Sequence, residues 1–269
     1  MTIWELYDGG CDTMKHMPVL FVGHGSPMNA IENNRFSAYW ETLGGQIPRP
    51  EAILSISAHW YTPGLRVTDV PFPKMVYDMY GFPEELYQVA YNAPGAPRFA
   101  GLTKELVGEN IQIDNSWGLD HGSWSVLCRM YPQADIPVFQ MSVDRLASAR
   151  DCYETGEKLR RLREQGVLIL GSGNIVHNLS RVNWSMEEGG YPWALEFDEY
   201  IKNNILNKEY ENIINYSGAG ESAALAFQMM DHFAPLLYIL GASEQQDKVS
   251  VFNDSCVLGS LSMTSYLFK

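Results

Sequence analysis

Short apolar runs of strand length recur along this chain of 269 residues, and they constrain its fold more than any other feature. They cover residues 17–22, 52–57, 136–142 and 167–170. Segments with helical periodicity separate them, and that alternation is typical of an α/β fold. We therefore predict a central sheet, mostly parallel or mixed, that is flanked by helices.

The segments between the runs predict five helices. These cover residues 33–43, residues 97–107, residues 146–163, a stretch that begins after Tyr191-Pro192, and residues 231–240 with Asp231 as N-cap. Residues 249–267 alternate loosely and predict one or two edge strands. The sheet and these helices account for most of the chain.

A proline-rich segment, residues 63–97, interrupts this pattern. Its six prolines argue against a regular crossover helix, so we predict an ordered excursion. Tyr77, Tyr80 and Phe82 are its candidates for one wall of a pocket, although surface packing explains them equally well.

Composition indicates one globular domain over residues 1–269, with residues 1–16 as a peripheral N-terminal extension. Hydrophobic residues make up 46% of the chain and charged residues 19%, and no linker divides it. A net charge of -13 disfavours nucleic acid as a partner, and no apolar run is long enough for a membrane span. Four scattered cysteines without a C-x-x-C pair fit a cytoplasmic protein, which we expect to be a monomer or small homo-oligomer.

Three histidines share one context, because His24, His59 and His177 each arrive just after a predicted strand. Ligands and catalytic groups gather at the carboxyl ends of strands in an open α/β sheet, so these side chains could converge. His24 and His59 are 35 residues apart, the separation of two consecutive strands joined by one helix, which predicts neighbouring strand ends. Converging imidazoles usually bind a metal, whereas a single buried histidine is more often a hydrogen-bonded core residue.

Two further histidines could join such a site. His232 lies near a predicted helix start and could approach from the side, and His121 lies in a polar turn before a helix predicted from Ser123. Imidazole suits zinc, iron, copper and nickel alike, so these residues do not choose the metal. The chain has no G-x-S-x-G elbow, P-loop or G-x-G-x-x-G after a strand, which leaves metal chemistry as the leading class.

Five motifs occur in a recognisable order. They are Gly23-His-Gly-Ser-Pro-Met28, Ser57-Ala-His-Trp60, Gly118-Leu-Asp-His-Gly-Ser-Trp124, Tyr131-Pro-Gln-Ala-Asp-Ile-Pro137 and Gly171-Ser-Gly-Asn-Ile-Val-His-Asn178. Together they resemble the LigB-like class III extradiol ring-cleavage dioxygenases, in the 4,5-DOPA extradiol dioxygenase branch. The resemblance extends from about Met17 to the C-terminus.

The resemblance implies a nonheme Fe(II) enzyme that opens a catechol such as L-DOPA beside its hydroxyls and inserts both atoms of O2. His24 and His59 match the two histidine ligands of the family. His177 matches a position that serves as catalytic base or, in a zinc-loaded protein, as a further ligand. His232 falls near the place where related enzymes have a carboxylate ligand, so the site should also accept Zn(II).

The same resemblance suggests roles for the surrounding residues. His177 or His121 would take a phenolic proton, and His121 would return one to the resulting oxyanion. Trp60, Tyr61 and Trp124 could stack on the substrate ring or could simply pack the core. A zinc-dependent hydrolase and a noncatalytic metal-binding interaction protein remain the alternatives.

Overall fold

The computed structural model describes residues 16–269. Residues 1–15, which hold nearly all of the predicted N-terminal extension, lie outside the described residues. Within the described part the α/β prediction is confirmed, because one eight-stranded sheet carries helices on both of its faces.

The sheet is mixed. Its strands are β1 (Val19–Gly23), β2 (Ala52–Thr62), β3 (Leu65–Val67), β4 (Ile111–Ile113), β5 (Val138–Asp144), β6 (Val167–Gly173), β7 (Val249–Phe252) and β10 (Ser265–Phe268). They lie in the order β4-β3-β5-β2-β6-β1-β10-β7, and β5, β2, β6 and β1 form a parallel block at the centre. Two short strands, β8 (Cys256–Val257) and β9 (Leu261–Ser262), pair separately.

Nine α-helices surround the sheet in the described part of the chain. They are α1 (Arg35–Gln46), α2 (Glu84–Tyr87), α3 (Pro97–Val107), α4 (His121–Met130), α5 (Ala149–Leu159), α6 (Pro192–Leu206), α7 (Tyr210–Ile214), α8 (Glu221–Ala226) and α9 (Ala234–Ala242). The proline-rich excursion contains β3 and α2, and irregular backbone makes up the rest of it.

The central strands are buried on both faces, which explains why they read as continuous apolar runs. In β1, Val19 and Phe21 belong to the core that packs against α5 and α9, whereas Leu20 and Val22 belong to the core of α1 and α4. The helices therefore hold the parallel block from both sides and fix the positions of its carboxyl ends. Among residues 16–269, no helix combines the length and the apolar character that crossing a membrane requires.

Two expectations about the strands were wrong. Strand β2 continues to Thr62, so His59 lies within the strand, and its pairing with β5 shifts between Ile56 and Tyr61. Strand β6 lies between β1 and β2, so the ends that carry His24 and His59 are not adjacent. Of the two C-terminal strands that join this sheet, β10 lies inside it, between β1 and β7, and β7 lies at the edge.

Two helix predictions also need correction. The helix predicted from residue 231 begins at Ala234, because Pro235 occupies its first turn, and Asp231 therefore does not cap it. The segment 146–163 forms α5 from residue 149, with Ser148 as N-cap, and then a 3-10 turn. Arg163 in that turn is buried and pairs with Asp247, with N–O distances of 2.8 and 2.9 Å.

Candidate functional site

Three histidines converge where β1, β2 and the start of α9 meet. His24 follows β1, His59 lies in β2, and His232 lies two residues before α9. Their candidate ligand nitrogens all lie within 4.8 Å of one another, and Nε2 of His24 is 3.1 Å from Nε2 of His59. This spacing lets one ion lie between the three imidazoles.

The intervening strand β6 makes room for this convergence by ending in small residues. A Cβ atom added to Gly173 would lie 2.1 Å from the carbonyl oxygen of His232, so only glycine lets this segment approach so closely. Gly25 has a φ of 59°, in the left-handed region, and turns the chain directly after His24. The glycines beside the histidines thus position them.

Hydrogen bonds fix the orientation of the His24 ring. Ser172 donates its hydroxyl proton to the carbonyl oxygen of Gly122, and the Ser172 oxygen lies 3.0 Å from Nδ1 of His24. Because the serine proton is already used, Nδ1 of His24 must donate to this oxygen. Nε2 is then the unprotonated nitrogen, with its lone pair free for a metal.

Asp78 joins His59 to His121. One carboxylate oxygen lies 3.1 Å from Nδ1 of each imidazole, and the other accepts a hydrogen bond of 2.9 Å from the backbone N–H of His121. A carboxylate beside Nδ1 leaves Nε2 of His59 free for a metal, which is the usual arrangement around metal-binding histidines. Asp78 lies in the proline-rich excursion and links that segment to the site.

His177 packs against His232 and is not part of the three-imidazole group. The two rings stack with centroids 3.5 Å apart and planes 5° apart. Nδ1 of His232 lies 3.2 Å from a carboxylate oxygen of Asp231. The structure therefore brings His24, His59 and His232 together as a candidate ligand set and places His177 beside it.

The pKa values of most of these histidines are low. Burial lowers the pKa of His24 and of His232 well below the ordinary value, and the neighbouring histidines lower both further. Burial also lowers the pKa of His177 to about 4. These imidazoles are neutral at pH 7, and neutral imidazole is the form that binds a metal or accepts a proton.

Asp78 opposes the effect of burial on two of the imidazoles, because its charge raises the pKa of His59 and of His121. Burial lowers the pKa of His59, but contact with Asp78 and the charges of nearby aspartates outweigh it, so the pKa is raised overall. For His121 burial prevails over the same carboxylate, and the pKa is lowered. The contacts with both imidazoles hold the pKa of Asp78 below its usual range despite its burial.

These residues fit a metal ion. Nε2 of His232 is buried without a hydrogen-bond partner, and such an atom is costly unless something binds it. Three neutral imidazoles can hold iron or zinc in the divalent state. A second possible metal-binding group consists of His59, Asp78 and His121. His59 belongs to both groups, so the two groups are not independent metal sites.

The three imidazoles border a cavity of about 660 Å3 with a mainly apolar lining. His121 and His177 also line it. From the proline-rich excursion, Met79 and Phe82 contribute side chains, whereas Tyr77 donates a hydrogen bond to the carbonyl oxygen of Val89 and Tyr80 is 92% exposed.

The three aromatic residues predicted to stack on a substrate do not line this cavity. Trp124 is fully buried and donates its indole proton to the carbonyl oxygen of Val76, and Trp60 is buried and stacks on Trp117. Tyr61 is half-buried and packs against the core of α5 and α9. The structure therefore places Trp60 and Tyr61 of β2 and Trp124 of α4 as packing residues outside the cavity lining.

Sequence reasoning missed three polar residues that orient the histidines. Ser172 lies in the motif Gly171–Asn178, five residues before His177, and Asp231 directly precedes His232, so both lie near predicted site residues in the sequence. Asp78 carried no local signal, since it lies between Tyr77 and Met79 in an irregular segment. Only the folded excursion brings it to His59 and His121.

Comparisons with known proteins agree with this geometry. The family described as the catalytic LigB subunit of aromatic ring-opening dioxygenase matches residues 10–269. A protein of Escherichia coli named 4,5-DOPA dioxygenase extradiol is 43% identical over 254 residues, which cover 93% of this chain and 93% of that protein. A Beta vulgaris protein of the same name is 36% identical over 267 residues, with 97% and 98% coverage.

A solved structure shares the fold. The crystal structure of an uncharacterized protein from Escherichia coli K12 matches with a TM-score of 0.83 and 40% sequence identity, covering 94% of this chain and 100% of that one. The resemblance seen in the five motifs is thereby confirmed. The chain belongs to the LigB family of aromatic ring-opening dioxygenases, in its extradiol ring-cleaving branch.

Proposed function

We propose that this chain cleaves a catechol ring with O2 at a divalent metal held by His24, His59 and His232. The observation that carries the proposal is the convergence of three imidazoles, two of them buried and one half-buried, at one end of an apolar cavity. Fe(II) is the metal for activity, and Zn(II) is the ion that the same ligands would also retain. When bound, such an ion polarises the catechol oxygens and holds the two reactants together.

His177 is the proposed base. It lines the cavity, and its pKa of about 4 keeps the imidazole unprotonated at pH 7, ready to take a phenolic proton. Its stacking on His232 fixes the ring beside the ligand set. We therefore assign His177 to proton transfer and leave it out of the ligand set.

His121 is the proposed proton donor. Its lowered pKa makes a protonated His121 a ready acid, and the Asp78 carboxylate 3.1 Å away stabilises that charged form while it lasts. His121 can thus accept a proton and return it to an oxyanion of the substrate.

The cavity wall offers apolar surface beside the histidines. Phe36, Phe82 and Met263 are among its apolar side chains, and a flat catechol ring can pack against them. Because relatives bear the name 4,5-DOPA dioxygenase extradiol, L-DOPA is the first catechol to test.

The test is reconstitution with ferrous iron followed by ultraviolet-visible monitoring of catechols under air. We expect a yellow semialdehyde product that requires both the iron and O2. A zinc hydrolase, which three histidines also fit, would act without O2, and a noncatalytic protein would yield no product with any catechol. Either outcome would contradict the proposal.

We also propose a cytoplasmic location. Cys128, Cys152 and Cys256 are free thiols, as expected in a reducing compartment. A monomer or small homo-oligomer remains our prediction, and light scattering of the purified protein measures it.

A further inference from the structure

Asp120 is a fully buried aspartate that directly precedes His121 and caps α4. It does not line the cavity, and its hydrogen-bond donors are all uncharged. Burying a carboxylate without a cation beside it is costly unless hydrogen bonds satisfy its oxygens. The partners of those oxygens therefore indicate what this charge holds in place.

Neutral donors fill both oxygens of Asp120. Oδ1 accepts a 2.7 Å hydrogen bond from the Ser57 hydroxyl and a 3.3 Å bond from the backbone N–H of Ser123. Oδ2 accepts a 3.1 Å bond from the Trp117 indole and another from the side-chain amide of Gln140. Ser57 belongs to β2, Gln140 to β5 and Ser123 to α4. Asp120 thus ties the first turn of α4 to two central strands.

The bond to Ser57 reaches His59. The pairing of β2 with β5 shifts between Ile56 and Tyr61, and Ser57 and His59 both lie in that irregular stretch. Because the Ser57 hydroxyl donates its proton to Asp120, its oxygen lone pairs can accept the backbone N–H of His59, at 3.3 Å. Asp120 therefore holds the irregular part of β2 that carries His59.

The first turn of α4 also reaches His24. The carbonyl oxygen of Gly122 in this turn accepts the hydroxyl proton of Ser172, whose oxygen orients Nδ1 of His24. A Cβ atom on Gly122 would lie 2.5 Å from Oγ of Ser57 and 3.0 Å from Cδ2 of His59, so the turn packs directly against β2. A displacement of this turn would therefore move the partners of both imidazoles.

We propose that Asp120 is a positioning residue of the metal centre, because it holds the first turn of α4 against β2. Through these two elements it fixes the directions of His24 and His59 as ligands and the place of His121. Asp78 acts on imidazoles by direct contact, whereas Asp120 acts on them through the backbone and neighbouring hydroxyls. The effect on catechol turnover rests on the proposed function, but the effect on metal binding is measured without it.

The test replaces Asp120 with asparagine. Asparagine caps helices as well as aspartate does, so α4 keeps its N-cap. With its oxygen at the cap, its amide nitrogen faces the side-chain donors of Gln140 and Trp117 and cannot accept from them. Asp114→Asn is the matched control, because Asp114 caps the preceding turn by accepting the backbone N–H of Ser116.

Gln140→Glu provides a rescue. In the double variant Asp120→Asn/Gln140→Glu, the asparagine amide can donate to the glutamate carboxylate, so donor and acceptor are exchanged and the net charge is restored. A loss that comes from the broken link should then be recovered. A loss that comes from general damage to the fold should instead increase with the second substitution.

Zinc affinity is measured by competition with a chromophoric chelator, and nitrogen NMR spectra of isotope-labelled histidine report the tautomers of the zinc-loaded protein. We expect Asp120→Asn to weaken zinc binding about 10- to 100-fold and to shift the ring-nitrogen resonances of His24 and His59. Asp114→Asn should change neither, and the double variant should recover most of the lost affinity. Under air, kcat for catechol cleavage should fall in Asp120→Asn.

A zinc affinity of Asp120→Asn within about twofold of the unsubstituted protein would overturn the inference. A double variant that binds zinc no better than Asp120→Asn would overturn it as well. If no catechol reacts with the iron-reconstituted unsubstituted protein, the proposed function fails, whereas zinc affinity and the NMR spectra still decide the role of Asp120.

Ser57→Ala decides the question if Asp120→Asn does not fold. It removes only the hydroxyl that joins Asp120 to β2, so zinc binding should weaken about two- to tenfold, the range of one hydrogen bond. Its control is Ser142→Ala, which removes a buried hydroxyl of β5 that Thr62 contacts at 2.8 Å. Equal zinc affinities of these two variants would overturn the inference.

Discussion

Replacing Asp78 with asparagine tests how far this carboxylate controls the metal centre. The charge lies 3.1 Å from Nδ1 of both His59 and His121. At an effective dielectric constant near 20, a full charge at that distance is worth up to about 5 kcal/mol to a charged partner. The cost of burying the carboxylate cancels much of this electrostatic energy. Removing the hydrogen-bonding partner of a metal-binding histidine typically weakens metal binding about 10- to 100-fold, or about 1.4–2.7 kcal/mol.

The assay is a competition titration of Zn(II) against a chromophoric chelator, with Asp78→Asn compared with Asp69→Asn. Asp69 lies in the same excursion but outside the cavity, where it pairs with Asn115. We expect the loss of affinity only in Asp78→Asn, with circular dichroism showing that both variants fold. A zinc affinity within about twofold of the unsubstituted protein would refute the idea that Asp78 orients His59 as a ligand.

Three further predictions concern the other groups of the site. His177→Gln should retain bound metal but lower kcat for catechol cleavage about 100- to 10,000-fold, whereas His232→Gln should lose the metal, as metal analysis and steady-state kinetics will show. Ser172→Ala should weaken zinc binding about tenfold, because His24 loses the hydrogen bond that selects its tautomer. The metal-free protein should lose about 2 kcal/mol of unfolding free energy between pH 7 and pH 5 through His177, whose folded pKa of about 4 lies below the unfolded value, so the unfolded chain binds more protons in that window. Urea titrations at both pH values will measure this, and His177→Gln should reduce the slope.

The sequence predicted those parts of the fold that local patterns specify. Continuous apolar runs correspond to the buried strands, and Pro97 marks the first turn of α3. Strand order depends on which strands meet in space, so the placement of β6 between β1 and β2 was not foreseen. The buried pair of Arg163 with Asp247 was not predicted either, because the two residues are distant in sequence and nothing near Arg163 indicates it.

The site was predictable to a similar degree. The strand context made His24 and His59 candidates, and the position of His232 near a predicted helix start added it before the resemblance was considered; the structure brings these three together. The orientation of each ring depends on partners that are distant in sequence, as Asp78 shows for His59 and His121. Trp60 does not line the cavity, because adjacent positions of a strand point to opposite faces and Trp60 next to His59 is therefore buried in the core. Trp124 lies in α4 and is also buried in the core.

The most direct test of the central claim is a crystal structure of the protein loaded with Fe(II) under anaerobic conditions. We predict one ion bound by ring nitrogens of His24, His59 and His232 at about 2.0–2.3 Å, with His177 outside bonding distance. An ion bound elsewhere, or a bond to His177 in place of His232, would contradict the account.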